Sequence, residues 1–326
     1  MTNKSNKTVK RHGSWLILGF LSYVLAAPSL LVTKAMANEG IDPATYMVIC
    51  AISVIAVLIV PATLYVLRHR DVIKRNKKSI VIACIAAGSC HMVRCLAAGA
   101  GQVSHVNVIT LMSPILLVIL SSWIVHERVD ARAKAGVALA ALGGVFVVAM
   151  PIISNGHLGF TGNIASTVLA ALSCILSPIA MIYTRRANEG GVPLYVQLIL
   201  WRIFDLILSI IIGPIVFGNT FVEVISGISA LNFLIIAIYG GVVLLVALNI
   251  VHIKVYKKLG SAVTSSFQYL GTLLAIVLPI IILREKISFD LVIGAALIVF
   301  GIYLTKHGAT IRSAKYKRLI KQRIYK

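Results

Sequence analysis

Ten apolar segments, each about 20 residues long and separated by short polar stretches, constrain the fold of this chain most strongly. They cover residues 14–36, 43–67, 79–99, 103–125, 133–153, 159–184, 192–217, 231–253, 261–283 and 288–305. A helix of about 20 apolar residues crosses the hydrocarbon core of a bilayer, which is about 30 Å thick. Since lipid offers no partners to backbone groups, each segment is expected to be helical. The sequence therefore predicts an all-α integral membrane protein with ten transmembrane helices, here called spans 1 to 10.

The balance of charge agrees with a membrane location. Only 13% of the residues are charged, about half of what a soluble chain carries. The net charge of +21 is also typical of nucleic-acid binding, but basic loops that orient membrane helices explain it better. We therefore expect membrane lipids and a small molecule as partners, and no nucleic acid.

The basic loops predict the orientation of the spans. If the N-terminal tail, residues 1–13, is cytoplasmic, 26 of the 31 Lys and Arg residues lie on the cytoplasmic side. The outer side receives only Lys34, Arg284 and Lys286. Because cytoplasmic loops carry the excess of Lys and Arg, both termini are expected inside, including the basic tail 307–326. The expected location is a bacterial inner (plasma) membrane.

An internal repeat divides the chain into two halves. Pro28, the run Ala37-Asn38-Glu39-Gly40 and Pro43 return 150 residues later as Pro178, Ala187-Asn188-Glu189-Gly190 and Pro193. Further along, Glu127, Gly136 and Gly143 return 158 residues later as Glu285, Gly294 and Gly301. The five spans of 14–153 thus repeat in 159–306. Since five is odd, the two repeats lie in opposite orientations, which is typical of secondary transporters.

These motifs resemble the drug/metabolite transporter superfamily of the EamA type. The resemblance rests on Ser113-Pro114 running to Glu127 in the first repeat, on the glycine-spaced span that follows each Glu, and on Arg202 in the second span of its repeat. Thr272 replaces the proline in the second repeat, and Ile52 stands where the first repeat would have the arginine. The resemblance implies a transporter whose spans 1, 3, 4, 6, 8 and 9 surround a central cavity, with spans 2 and 7 at the periphery.

Two basic side chains in span 3 are the first candidates for substrate binding. His91 and Arg94 are three residues apart and therefore share a helix face. His91 lies about 18 Å along the helix from Ser79, near the middle of the membrane. An arginine inside the membrane is a functional candidate, suited to a carboxylate or phosphate, unless it extends to the outer interface.

Further polar side chains are predicted to line the cavity because they lie on the spans that surround it in the resembled fold. They are Tyr23, Ser29, Asn107, Ser113, Ser177, Tyr239, Asn249, Gln268 and Tyr269. Gln268 and Asn249 are the stronger candidates because an amide is costly to bury without a role.

Other residues are predicted to be structural. Arg202 and Asp205 in span 7 are three residues apart and are expected to form an ion pair. Glu127 and Glu285, at helix ends, are expected to bind loop backbone or neighbouring cations. Pro28, Pro114 and Pro178 remove backbone donors inside spans and either kink the helix or open it toward the cavity.

The chain shows no signature of catalysis or of a cofactor. Its cysteines, Cys50, Cys84, Cys90, Cys95 and Cys174, all lie in apolar segments, and none forms a Cys-x-x-Cys pair, so no metal is expected. It has no phosphate-binding Gly-rich Lys-Ser/Thr motif, and hence no ATP drive, and no cluster of catalytic groups near one membrane face.

The favoured function is a secondary transporter, whether exporter, exchanger or facilitator, working by alternating access on a small polar metabolite. An amino acid or a related organic anion or zwitterion is the expected substrate. An exporter of amphipathic cations is the alternative, and an integral-membrane enzyme is a second one. Whether the protein is a monomer or a homodimer stays open.

The predicted orientation can be tested by labelling. A cysteine introduced at Gly156 should react with a membrane-impermeant maleimide added outside intact cells, and one introduced at Asn76 should not. The parent chain without an added cysteine is the control. Labelling of the Asn76 position from outside would contradict the orientation.

Overall fold

The computed structural model describes residues 2–124, 131–154, 163–218, 221–287, 289, 291–301 and 303–304. These residues form helices and no strand, which confirms the all-α prediction for them. The helices are α1 (Thr2–Ala26), α2 (Ser29–Asn38), α3 (Pro43–Arg68), α4 (Arg70–Ala100), α5 (Val103–Thr110), α6 (Ser113–Ile124), α7 (Ala131–Ser154), α8 (Ile164–Glu189), α9 (Leu194–Phe217), α10 (Phe221–Gly227), α11 (Ala230–Leu234), a π-helix (Ile235–Ala247), α12 (Leu248–Ile282) and α13 (Leu291–Gly301).

The length of the helices supports a membrane protein, although fewer of them than predicted are full spans. Six helical stretches of the described chain are long and apolar enough to cross a bilayer: Ser14–Asn38, Pro43–Arg68, Arg70–Ala100, Ile164–Glu189, Leu194–Phe217 and Ala230–His252. Spans 4, 5, 9 and 10 correspond to shorter apolar helices. The count of ten therefore stays a prediction.

Helix α12 runs from the end of span 8 through span 9, yet its path reverses. The ring of Tyr23 stacks on His252 with 4.0 Å between centroids. A Cβ built on Gly271 would lie 3.0 Å from the carbonyl oxygen of the same tyrosine. On a straight helix, residues 252 and 271 would be about 28 Å apart. The chain therefore turns back between them, where the sequence predicts the polar connection 254–260.

The two copies of the first repeat motif end their helices in the same way. Gly40 and Gly191 have φ of 85° and 93°, a region in which only glycine is unstrained. Beyond each glycine, a backbone N–H bonds back to the helix: Ile41 to Met36, and Val192 to Ala187, both at 3.0 Å. This is the Schellman pattern. The helix of the second copy ends one residue later than that of the first, because Gly191 stands at the position of Ile41.

Glycines also allow a close approach between α7 and α13. A Cβ on Gly294 would lie 3.1 Å from the carbonyl oxygen of Gly143 and would overlap the side chain of Val147. A Cβ on Gly301 would lie 2.5 Å from the carbonyl oxygen of Gly136. The glycine spacing seen in the sequence thus allows two backbones to approach each other, as small residues do between membrane helices.

Glu285 ties the connection after α12 to the start of α5. Its carboxylate accepts hydrogen bonds from the backbone N–H of Val103 at 2.7 Å and of Ser104 at 2.9 Å, and from the Ser104 hydroxyl at 2.5 Å. The first N–H groups of a helix have no partner in the helix itself, so an acid there stabilises it. The preceding residue, Arg284, has φ of 53°. Its predicted counterpart, Glu127, lies outside the described residues.

Removing this carboxylate should destabilise the protein. We expect Glu285→Ala to lower the free energy of unfolding by about 1–3 kcal/mol, since partly buried backbone donors lose their acceptor. Glu285→Gln, which keeps one acceptor oxygen, should have a smaller effect. Thermal unfolding of the purified protein in detergent measures both.

The control for this prediction is Glu189→Ala. Glu189 pairs with Arg185 at 2.8 Å, but both side chains are more than 60% exposed. Exposed pairs stabilise little, so the change should stay within about 1 kcal/mol. Equal unfolding temperatures for Glu285→Ala and Glu189→Ala would contradict the assigned role of Glu285.

Candidate functional site

A cavity of about 230 Å³ lies in the middle of the helix bundle. Its walls come from α1 and α2, α3, α4, the π-helix and the start of α12. The residues that line it are Ala26, Ser29, Leu30, Thr33, Tyr46, Cys50, His91, Arg94, Cys95, Gly240, Leu244, Leu245, Leu248, Asn249 and His252. Span 2, which the resemblance places at the periphery, thus contributes Tyr46 and Cys50.

A break in span 1 forms one wall of the cavity. Helix α1 ends at Ala26 and α2 begins at Ser29, because Pro28 has no N–H to continue the hydrogen-bond ladder. The carbonyl of Leu25, just before the break, accepts a hydrogen bond from the Tyr239 hydroxyl at 2.7 Å. The break is thereby fixed to the π-helix, and Ser29 and Thr33 face the cavity.

The π-helix and the start of α12 present one continuous face to the cavity. Gly240, Leu244, Leu245 and Leu248 line it, followed by Asn249 and His252. A Cβ on Gly240 would lie 2.7 Å from the Tyr46 hydroxyl and 2.8 Å from the Cys50 sulfur. Because Gly240 has no side chain, α3 can approach the π-helix closely beside the cavity.

Arg94 is the permanent cation of the cavity wall. Its Nε is buried and has no hydrogen-bond partner in the described chain. No Asp or Glu is among the cavity-lining residues. The side chain as a whole is half-buried. A cation inside a membrane protein without a carboxylate beside it is costly, so this part of the cavity is electropositive and suited to an anion.

His91, one helical turn before Arg94, lines the same cavity and reaches a buried ion pair behind it. Arg202 and Asp205 of α9 contact each other and are 5% and 0% exposed at their side chains. The guanidinium Nη1 of Arg202 lies 3.0 Å from Nδ1 of His91. The pair was expected on peripheral span 7, and the structure places it directly behind the cavity wall.

The remaining candidates divide between the cavity and its surroundings. Asn249 lines the cavity, and its amide nitrogen donates to the carbonyls of Leu244 at 3.2 Å and Leu245 at 3.1 Å. Tyr23 does not line it but stacks on His252, which does. Tyr239 is likewise outside the lining and holds the break in span 1.

Three other candidates lie away from the cavity. Asn107 is buried, and its amide nitrogen donates to the carbonyl of Ala275 at 2.7 Å, which ties α5 to α12. Ser113 starts α6, and Ser177 lies beside Cys90 on the face of α8 that packs on α4. None of them is among the cavity-lining residues.

Some candidates fall where the structure gives no side-chain environment. Gln268 and Tyr269 belong to α12 and Pro114 to α6, but their side chains lie outside the described part of the chain, as does Glu127. Pro178 is buried in α8, which continues without interruption from Ile164 to Glu189. Unlike Pro28, Pro178 does not end a helix.

Sequence reasoning missed several cavity residues, namely Thr33, Tyr46, Cys50, Cys95, Leu244 and His252. His252 had a detectable signal, because it follows Asn249 by three residues and so shares its helix face. The other missed residues had no such signal in the sequence, since a Tyr, Thr, Cys or Leu in an apolar span is equally compatible with ordinary packing.

Comparisons with known proteins give a fold and a family for the chain. A solved structure titled "Crystal structure of protein" is 18% identical to this chain, with a TM-score of 0.56, and the match covers 92% of this chain and 99% of that one. At this identity the likeness shows the fold alone. A search of curated proteins finds no match.

The model of the Triose-phosphate Transporter family matches residues 5–306, which is most of the chain. That family is part of the drug/metabolite transporter superfamily and shares its fold with the EamA type, which confirms the resemblance seen in the sequence. Its members are membrane transporters and not enzymes. The chain therefore belongs to the Triose-phosphate Transporter family.

Proposed function

We propose that the protein is a secondary transporter that carries a small organic anion or zwitterion by alternating access, with the anionic group bound by Arg94. The observation that carries the proposal is the half-buried Arg94 in the cavity wall, whose buried Nε has no partner in the described chain. A substrate carboxylate or phosphate supplies the missing negative charge.

The chemistry of the guanidinium favours such a group. Arginine is always charged and presents a planar fork of N–H donors that matches two oxygens of a carboxylate or phosphate. The name of the family refers to triose phosphates, which carry one of these two groups. Amino acids and organic acids carry the other, so both belong to the proposed substrate class.

The cavity favours a metabolite over an amphipathic drug cation. Its volume, about 230 Å³, is below the range of about 300–1,000 Å³ typical of drug-sized ligands. Its lining residues include one Phe, Tyr or Trp, namely Tyr46, together with His91 and His252, and Arg94 repels a cation. Recognition of a cation would instead call for a cage of aromatic rings.

The pairing of helices supports ten spans in two inverted repeats. A twofold axis that exchanges the repeats requires the contact of span 3 with span 6 to recur between span 8 and span 1. Helix α4 packs along α8, and α1 packs along α12, where Tyr23 of span 1 stacks on His252 at the end of span 8. The same axis brings each of spans 2 and 4 against its own counterpart, and α3 packs on α9 and α5 on α12.

Alternating access follows from that symmetry. If the two halves exchange conformations, a cavity open to one side becomes a cavity open to the other. Arg94 would then hold its anion in both states. We also propose that both termini are cytoplasmic, as the loop charges indicate.

Substitution of Arg94 tests the proposed function. A thermal-shift screen of the purified protein against amino acids, organic acids and phosphorylated three-carbon acids first selects the compound that stabilises it most. Arg94→Ala should weaken binding of that compound by about 2–4 kcal/mol, since one partner of a buried charge pair is lost. Arg94→Lys keeps the charge without the fork and should lie between Arg94→Ala and the parent.

Uptake into proteoliposomes at matched protein amounts measures the effect, with size-exclusion profiles as the folding check. Arg185→Ala is the matched control, because Arg185 is 71% exposed on α8 and away from the cavity. Its transport should equal that of the parent. Normal transport by well-folded Arg94→Ala would contradict the proposed anion site. It would mean that the Arg94 side chain extends to the membrane interface and does not bind the substrate.

A further inference from the structure

The position of His91 between the cavity and the ion pair of α9 restricts where its proton lies. Nδ1 of His91 is 3.0 Å from Nη1 of Arg202 and 3.7 Å from Oδ2 of Asp205. The guanidinium has only donors and does not lose its proton. The short contact is therefore a hydrogen bond from Arg202 to Nδ1, and a nitrogen that accepts cannot carry hydrogen.

It follows that the imidazole is neutral and carries its single proton on Nε2. In neutral histidine one ring nitrogen is a donor and the other an acceptor, and the bond made by one fixes the role of the other. The side chain of His91 keeps 26% of its surface exposed, although it lies within the bundle. Since His91 lines the cavity, that surface faces the site of Arg94.

We infer that the buried Arg202–Asp205 pair positions His91 so that its Nε2–H is a second donor to the anionic group bound by Arg94. This inference rests on the proposed function and deepens it. The substrate would be held by two donors one helical turn apart, a guanidinium fork and an imidazole N–H. A group with two or more oxygens on one atom, such as a carboxylate or a phosphate, satisfies both.

Asp205 is needed to keep Arg202 in place. Its contact with Arg202 neutralises a guanidinium that would otherwise compete with Arg94 for the anion. The close approach depends on Gly88, one turn before His91 on α4. A Cβ there would lie 2.9 Å from Oδ1 of Asp205 and 2.6 Å from the ring of Phe204.

Nitrogen NMR of the full-length protein tests the tautomer without any substrate. Protein labelled with ¹⁵N-histidine in detergent should show His91, assigned by comparison with His91→Gln, as a neutral ring protonated at Nε2. In the double variant Arg202→Gln/Asp205→Asn the fixed donor to Nδ1 is lost, so the ring should populate both tautomers. The single variant Arg202→Lys should keep the parent tautomer, because a lysine ammonium can only donate hydrogen bonds.

Binding measurements test the consequence for the substrate. The compound selected by the thermal-shift screen should bind the double variant about tenfold more weakly, the range of one hydrogen bond to a charged group. Arg202→Lys should stay within about threefold of the parent, on the same scale. Ser209→Ala is the matched control, because Ser209 is buried on α9 and contacts Met92 rather than His91. It should leave both tautomer and affinity unchanged.

Two results would overturn the inference: a parent spectrum with the proton on Nδ1, or parent-like affinity in a folded double variant. Either is distinct from failure of the proposed function. That failure would appear as unchanged binding in Arg94→Ala, whatever the state of His91.

Discussion

The arrangement of the site depends on one buried carboxylate that pairs with only one of two arginines inside the spans. The sequence places Arg94, Arg202 and one acid, Asp205, deep inside its apolar spans. Charges at this depth are costly unless they are paired. Asp205 contacts Arg202, and both are almost fully buried. Arg94 is left in the wall of a cavity without a carboxylate in its lining, and under the proposed function the substrate supplies its partner.

Small residues and broken helices shape the cavity around that cation. Pro28 ends α1 and turns Ser29 and Thr33 toward the cavity. Gly240 brings the π-helix against Tyr46 and Cys50, and Gly88 brings α9 against α4. Irregular backbone at membrane depth is tolerated where it lines a cavity or is satisfied by neighbours, and here the Tyr239 hydroxyl binds the freed carbonyl of Leu25.

Much of the fold, and less of the site, could be predicted from the sequence. Apolar length predicts the helices, and Arg94, His91 and Asn249 were found because strongly polar groups in apolar spans are conspicuous. Tyr23, Tyr239 and Asn107 were expected to line the cavity. The structure instead shows Tyr23 and Tyr239 in contact with elements of the cavity wall and Asn107 away from the cavity, since only packing decides whether such a side chain meets the cavity or a carbonyl. The contact of His91 with Arg202 joins residues 111 positions apart, a pairing that helical spacing cannot reveal.

The most direct test of the account compares a charged ligand with its uncharged analogue. Calorimetry would measure binding of the selected acid and of its amide or ester to the parent and to Arg94→Gln. We expect the parent to bind the acid at least about tenfold more tightly than the uncharged analogue, because a charge-assisted hydrogen bond is lost with the charge. In Arg94→Gln this preference should disappear. An unchanged preference for the acid in Arg94→Gln would contradict the claim that Arg94 binds the anionic group.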